Sequence, residues 1–221
     1  MRERVWEAFQ WLQTEGAYPE GPLPAATCHV ERAAREGWLP KGIGALLVIG
    51  PGTHHEVDVL VSKLDHHEAM RTTVLTAYSG ERAALIAAGY NADCEDIHDS
   101  SLSTGRYDLI FSSNVFEHVF APYIAIMECR RLLRLGGFFY AVIPTFDTAG
   151  GGVTPWHISC LEAKHWSELL NKCGFQVECL TTVLEESVGA GEQYYHIRAR
   201  AVELQEPHAT VLRRLIEAKE T

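Results

Sequence analysis

Between Arg106 and Pro144 the chain reads RYDLIFSSNVFEHVFAPYIAIMECRRLLRLGGFFYAVIP, and few folds accept that order. An apolar strand from Tyr107 to Phe111 runs into small polar residues and then the pair Glu117-His118. A helix-like segment follows and ends at Gly136-Gly137. A second apolar strand, Phe138 to Ile143, stops at Pro144. Upstream, Ala45 to Ile49 is another short apolar run without alternation, and it ends in Gly50-Pro51-Gly52. Such runs suit strands covered on both faces, as in a parallel sheet.

The remaining segments extend the same rhythm. Glu56 to Leu64 reads as a helix, Thr72 to Ala77 as a β-branched strand, and Gly80 to Ala88 as a helix closed by Gly89. Tyr90 to Ala92 is a short strand before the acidic stretch Asp93 to Asp99. Alternating strands and helices predict a doubly wound α/β layer structure. After Pro144 the rhythm changes. A Gly-rich loop (Thr145 to Thr154) leads to a helix from Leu161 to Cys173. Phe175 to Val183 and Tyr194 to Val202 then follow with no room for a crossover helix, so they should pair antiparallel. The expected fold is a Rossmann-like, mostly parallel seven-stranded sheet with a C-terminal antiparallel strand pair. The whole chain, 1–221, reads as one domain. Residues 1–42 form an N-terminal helical cap (Val5 to Leu12, then Ala25 to Trp38), 43–204 the α/β core, and 205–221 a terminal helix.

Composition narrows the partners. The 221 residues carry a formal net charge of -10. Such a surface repels phosphate backbones, so nucleic acid is not an expected partner. The densest basic cluster, Arg130, Arg131 and Arg134, reads as a solvated helix face. No run is long and apolar enough to span a bilayer. The N-terminal segment lacks the apolar core of a secretory signal. Six cysteines occur with no C-x-x-C pair, which suits reduced thiols in a cytoplasmic protein. The histidine doublets His54-His55 and His66-His67 lack a helical i, i+4 partner histidine, so no metal is expected. Oligomeric state is left open.

Three places can carry chemistry. Gly50-Pro51-Gly52-Thr53-His54 follows a buried strand and precedes a helix. Its glycines let backbone approach a ligand and leave amide groups free. Ser112-Ser113-Asn114-Val115-Phe116-Glu117-His118 lies past the carboxyl end of a strand, where open α/β sheets place ligands. His118 is there an imidazole of ordinary pKa near 6.5, suited to proton transfer. His157 follows Trp156 and the Gly150-Gly151-Gly152 loop, a composition suited to a lid. Trp6, Trp11 and Trp38 are candidates for apolar walls.

Taken in order, these segments resemble the class I S-adenosylmethionine-dependent methyltransferases over roughly residues 45 to 185. Ile49-Gly50-Pro51-Gly52-Thr53 looks like the family's first motif, with His54 where its last glycine often stands. Ala92-Asp93-Cys94-Glu95-Asp96 is similar to the acidic segment after strand three, and Arg106-Tyr107-Asp108-Leu109-Ile110 to the start of strand four. Leu132 to Gly137 resembles the turn before strand five, and His157 to Phe175 the closing segment.

The resemblance implies S-adenosylmethionine as cofactor. Gly50, Pro51 and Gly52 would lie against its methionine part, with Asp93 accepting from the adenine amino group and Cys94 beside it. Backbone groups near Ser112 and Ser113 would complete the site. The family's usual carboxylate after strand two, which grips the ribose diol, falls at Ala77 or Tyr78. Tyr78, Ser79 and Glu81 are the groups at hand to substitute. His118 and His157 would face the acceptor as catalytic residues. Some quinone-biosynthesis relatives bind a divalent metal through Glu-x-x-Glu-His, but Asn114 stands here in place of the first Glu.

The expected activity is methyl transfer to a small-molecule acceptor, at oxygen. The alternative is a non-catalytic binding or partner module on the same fold, suggested by the missing ribose carboxylate. A nicotinamide dehydrogenase fits less well, since the third fingerprint glycine and an acid after strand two are both absent.

Overall fold

The β1 strand (Ala45–Ile49) is buried along its whole length and pairs in parallel on both sides. The computed structural model describes residues 24–65, 70–145, 157–185 and 192–220. The expected helix from Val5 to Leu12, with Trp6 and Trp11, lies outside them, as do His66-His67, the Gly150-Gly151-Gly152 loop and Trp156.

The described elements run α1 (Pro24–Arg35), β1, α2 (His54–Lys63), β2 (Arg71–Thr76), α3 (Ser79–Ala87), β3 (Asn91–Cys94) and β4 (Tyr107–Ser113). A 3-10 turn (Phe116–His118) leads to α4 (Pro122–Leu132) and β5 (Leu133–Pro144). The chain continues with α5 (Ala163–Lys172), β6 (Phe175–Glu185), β7 (Glu192–Ala201) and α6 (His208–Glu220). The seven strands lie in the order β3-β2-β1-β4-β5-β7-β6. β7 runs antiparallel to both β5 and β6, so the expected terminal pair is present.

Strand periodicity explains the layers. Ala45, Leu47 and Ile49 point into one apolar cluster, which takes in Ile126 of α4 and Trp166 and Leu170 of α5. Leu46 and Val48 point into the other, with Val30 of α1, Val57 and Leu60 of α2 and Leu85 of α3. Successive side chains of a strand face opposite ways, so one five-residue run serves both cores.

Asp108 joins the two halves at the bottom of the sheet. Its Oδ2 accepts the amides of Gly44 (2.7 Å) and Ala45 (2.8 Å), which aligns the start of β1 with β4. Arg134 pairs with its other oxygen at 2.6 Å.

Two expectations need correction. The helix expected to reach Gly136-Gly137 ends at Leu132, and β5 begins at Leu133. Tyr107 pairs with Leu133 and Leu109 with Phe138, a bulge that absorbs the extra residues before the strand straightens. Of the basic cluster, only Arg134 is exposed, and Arg130 and Arg131 are not on a solvated face. Arg131 is buried, its Nη2 2.6 Å from Glu128 Oε1, with further bonds to Thr104, Ser100 and Leu102. Arg130 is also buried and donates to the Val202 carbonyl. A guanidinium carries five donors, so it can brace a loop that has no other partners for its carbonyls.

Candidate active site

The strand order reverses between β1 and β4, and Ile49 stands opposite Ser112 where it does so. A doubly wound sheet opens its crevice at such a switch point. Gly50 sits at that mouth with φ +58, and a Cβ placed there would lie 2.7 Å from Val115 Cγ2. Glycine is required twice over, by conformation and by space. Gly52 (φ +69) leads into α2, whose N-cap residue Thr53 makes no side-chain cap bond.

β2 and β3 extend the same edge. Asp93 stands opposite Leu75, and Cys94 opposite Thr76. The glycine turn and the segment beginning at Asp93 are therefore at the carboxyl ends of neighbouring parallel strands, with β2 between them. Tyr78 is the N-cap residue of α3 and Ser79 its first residue.

Glu81, in the first turn of α3, reaches back to the glycine loop. Its Oε1 accepts the Gly52 amide at 2.8 Å and its Oε2 the Thr76 hydroxyl at 2.5 Å. Burial raises its pKa, while those two bonds lower it. The fully buried Glu56 carboxyl beside it is raised well above the usual range by burial and by Glu81.

The second cluster lies past β4. Ser112 and Ser113 are buried, and Ser112 Oγ has no protein partner. Asn114 adopts φ +53, a conformation that costs a non-glycine residue roughly 1–2 kcal/mol. This kink ends the strand and turns the chain into the 3-10 turn that carries Glu117 and His118.

Glu117 is buried, its Oε2 has no partner, and burial pushes its carboxyl up to about 8. Its Oε1 lies 3.7 Å from His118 Nε2. His157 arrives from the far side of β5, with its ring centroid 4.8 Å from that of His118. Ser159 holds it there: its amide donates to the Glu117 carbonyl (2.9 Å) and its hydroxyl to the Val119 carbonyl (2.5 Å). Cys160 is nearby, but burial and the Glu117 charge raise its thiol pKa, which disfavours a thiolate.

The two sequence-predicted histidines are thus brought together, and the predicted cofactor residues gather at the ends of β1 to β4. His29 of α1 was not anticipated. Its Nδ1 lies 3.0 Å from Ser113 Oγ, and its ring packs against Tyr194. A lone histidine on an amphipathic helix gives no sequence signal for such a contact. Burial holds His29 near 3, so it is neutral at ordinary pH.

An adenosyl cofactor fits this edge. The glycine loop leaves backbone exposed where a side chain would block it, α2 offers uncapped first-turn amides, and the buried Ser112 hydroxyl lacks a protein partner.

Comparison with known proteins agrees. Residues 47–141 match the family described as methyltransferase domain. A Mycolicibacterium smegmatis protein named "Probable S-adenosylmethionine-dependent methyltransferase" is 35% identical over 81 residues, 35% of this chain and 32% of that protein. The match thus spans about a third of that relative's length. Among solved structures, the Burkholderia thailandensis 1,6-didemethyltoxoflavin-N1-methyltransferase, with bound 1,6-didemethyltoxoflavin and S-adenosylhomocysteine, superposes with TM-score 0.65 at 16% identity, covering 90% of each chain. The [4+2]-cyclase SpnF also gives 0.65, at 18% identity over 80% of each chain. Residues 47–141 thus match a methyltransferase domain, and they lie in a seven-stranded sheet of the fold that these solved structures share.

Proposed function

We propose that this protein transfers the methyl group of S-adenosylmethionine to an oxygen of a small-molecule acceptor. The observation that supports this most is the close approach of Gly50 to Val115, which sets the glycine loop beside the turn that carries Glu117 and His118. The bound cofactor supplies an already activated methyl group on a sulfonium.

The protein's task is then alignment and proton management. Gly50, Pro51 and Gly52 hold the methionine part, and Asp93 with Cys94 lies at the adenine side. Glu81 replaces the missing carboxylate after β2. It fixes the Gly52 amide and Thr76 and presents its remaining lone pairs toward the ribose corner, with Tyr78 and Ser79 beside it. Ser112 and Ser113 floor the crevice. His118 is half-exposed and faces the acceptor, where its imidazole takes the hydroxyl proton. His157, packed against it, orients the ring. The buried Glu117 carboxyl sits behind them.

The toxoflavin relative methylates a nitrogen by its name, and SpnF is a cyclase by its name, so the fold alone does not fix the reaction. Oxygen is favoured because a histidine base stands at the acceptor side. A cytoplasmic setting is supported by six cysteines, none of them in a disulfide. Among the described residues no helix is long and apolar enough to cross a membrane.

The test is a titration with S-adenosylmethionine followed by turnover on a panel of phenols and other hydroxyl compounds. His118→Ala should cut turnover strongly with little change in cofactor affinity. Unchanged turnover rejects the base, and an absence of cofactor binding at millimolar ligand rejects the reading in favour of a non-catalytic module.

A further inference from the structure

Two groups of metal-capable side chains occur among the described residues. His54, His55 and Asp58 lie on the outer face of α2, and Asp58 is already engaged by the Tyr90 hydroxyl. Glu117, His118 and His157 lie past the carboxyl end of β4, with one ligand atom of each within 4.8 Å of the others. We infer that this second group is a binding site for one divalent first-row transition ion, held by Glu117 and the two imidazoles.

Geometry argues for it. Bonds of about 2.0–2.2 Å set neighbouring ligand atoms roughly 3–3.5 Å apart around a tetrahedral ion. Glu117 Oε1 and His118 Nε2 are already 3.7 Å apart. The remaining adjustment falls on the two histidine rings, both only partly buried. Glu117 is almost wholly buried, and its Oε2 has no protein partner. A carboxylate removed from water wants a cation, and a divalent ion would satisfy it; among the described residues no lysine or arginine pairs with Glu117.

The donor set selects the metal. Two imidazoles and one carboxylate suit zinc, iron(II) or cobalt(II), whereas magnesium and calcium prefer oxygen. The Asn114 side chain, directed to Ser113 Oγ at 3.4 Å, is not part of the group. The third ligand comes instead from beyond β5. Three protein ligands leave a coordination position open, as catalytic sites do. That an acceptor oxygen takes this position rests on the methyl-transfer reading above, and in the metal-bound form the imidazoles hold the ion, not a proton. The metal site itself needs no methyl transfer.

The full chain, freed of metal with a chelator, is titrated with Co²⁺ by absorbance and with Zn²⁺ by equilibrium dialysis, without S-adenosylmethionine. The expected result is one equivalent bound, with the intense visible bands of a four- or five-coordinate cobalt. His157→Ala, in a partly exposed segment, should weaken binding by about 100-fold or more, since even losing an outer partner of a ligand costs about 10–100-fold. Glu117→Gln should do the same where circular dichroism shows it folded. The double variant His54→Ala, His55→Ala should bind as the parent does. No binding at millimolar free ion overturns the site. So does a His157→Ala protein that binds as tightly as the parent, or a loss confined to the His54, His55 variant. Binding of the metal without any binding of S-adenosylmethionine would overturn the methyl-transfer reading and leave this site standing.

Discussion

The amide of Ser159 donates to the carbonyl of Glu117 at 2.9 Å, and this bond brings a loop beyond β5 against the 3-10 turn beyond β4. Two residues before Ser159 stands His157, and one residue after Glu117 stands His118. Their rings meet at 4.8 Å and 72° as a direct consequence. The Ser159 hydroxyl adds a second tie to Val119. Ser159→Ala removes only this second tie. It should therefore lower turnover several-fold by loosening His157, while S-adenosylmethionine affinity, measured by titration, stays near that of the parent.

Gly50→Ala tests the close approach at the switch point. The added methyl would meet Val115 at 2.7 Å in a left-handed conformation that alanine disfavours. Both effects act on the loop, not on the distant core. Loss of cofactor binding is expected, together with a lowered melting temperature. A variant that binds S-adenosylmethionine like the parent would place the cofactor elsewhere.

On the proposed reading, Glu81 stands in for the missing acid after β2. It holds Gly52 and Thr76 together, and hydrogen bonds to a charged group contribute about 1.5–3 kcal/mol each. Glu81→Ala should weaken S-adenosylmethionine binding by about tenfold or more, read by calorimetry. Unaltered affinity would remove Glu81 from the site.

Acid should loosen the contact between α1 and the sheet. Burial first, then His196 and Arg32, hold His29 near 3; burial, then Arg32, holds His196 near 4. Both pKa values are depressed, so the unfolded chain binds more protons at these sites. Their contribution is therefore whole above about pH 6.5, the ordinary histidine value, and is lost as pH falls through the folded values. The slope approaches about 1.4 kcal/mol per pH unit for each histidine inside that window. Urea unfolding at several pH values should show it, and a His29→Gln, His196→Gln protein should show a flatter curve.

Arg131 donates to both carboxylate oxygens of Glu128, from Nε and Nη2, with the pair out of water. Removing one partner leaves the other charged and buried, which costs about 3–5 kcal/mol. Arg131→Ala should lower stability by about that amount in denaturant unfolding, whereas an exposed control, Arg35→Ala, should change it little.

The layered α/β fold was legible because each strand is a short apolar run punctuated by glycine or proline. β1 was read at its true limits, and the antiparallel end followed from the lack of room for a crossover helix. The α4–β5 boundary was misread because Leu132 to Leu135 suits helix and strand alike. Pairing with Tyr107 across the sheet decided it. Arg130 and Arg131 looked solvated because arginine on a helix usually is. Their burial depends on Glu128, Thr104 and Val202, which no local pattern connects to them.

By itself the sequence determined the order of elements and the chemical types available at each strand end, since hydrophobic periodicity and turn residues act over a few neighbours. Only the tertiary structure decided which of those residues meet. Glu81 turned back on Gly52, His29 reached Ser113, and Glu117, His118 and His157 came together through contacts between segments far apart in the chain. Such contacts are set by how the layers pack, and packing leaves no period in a single sequence.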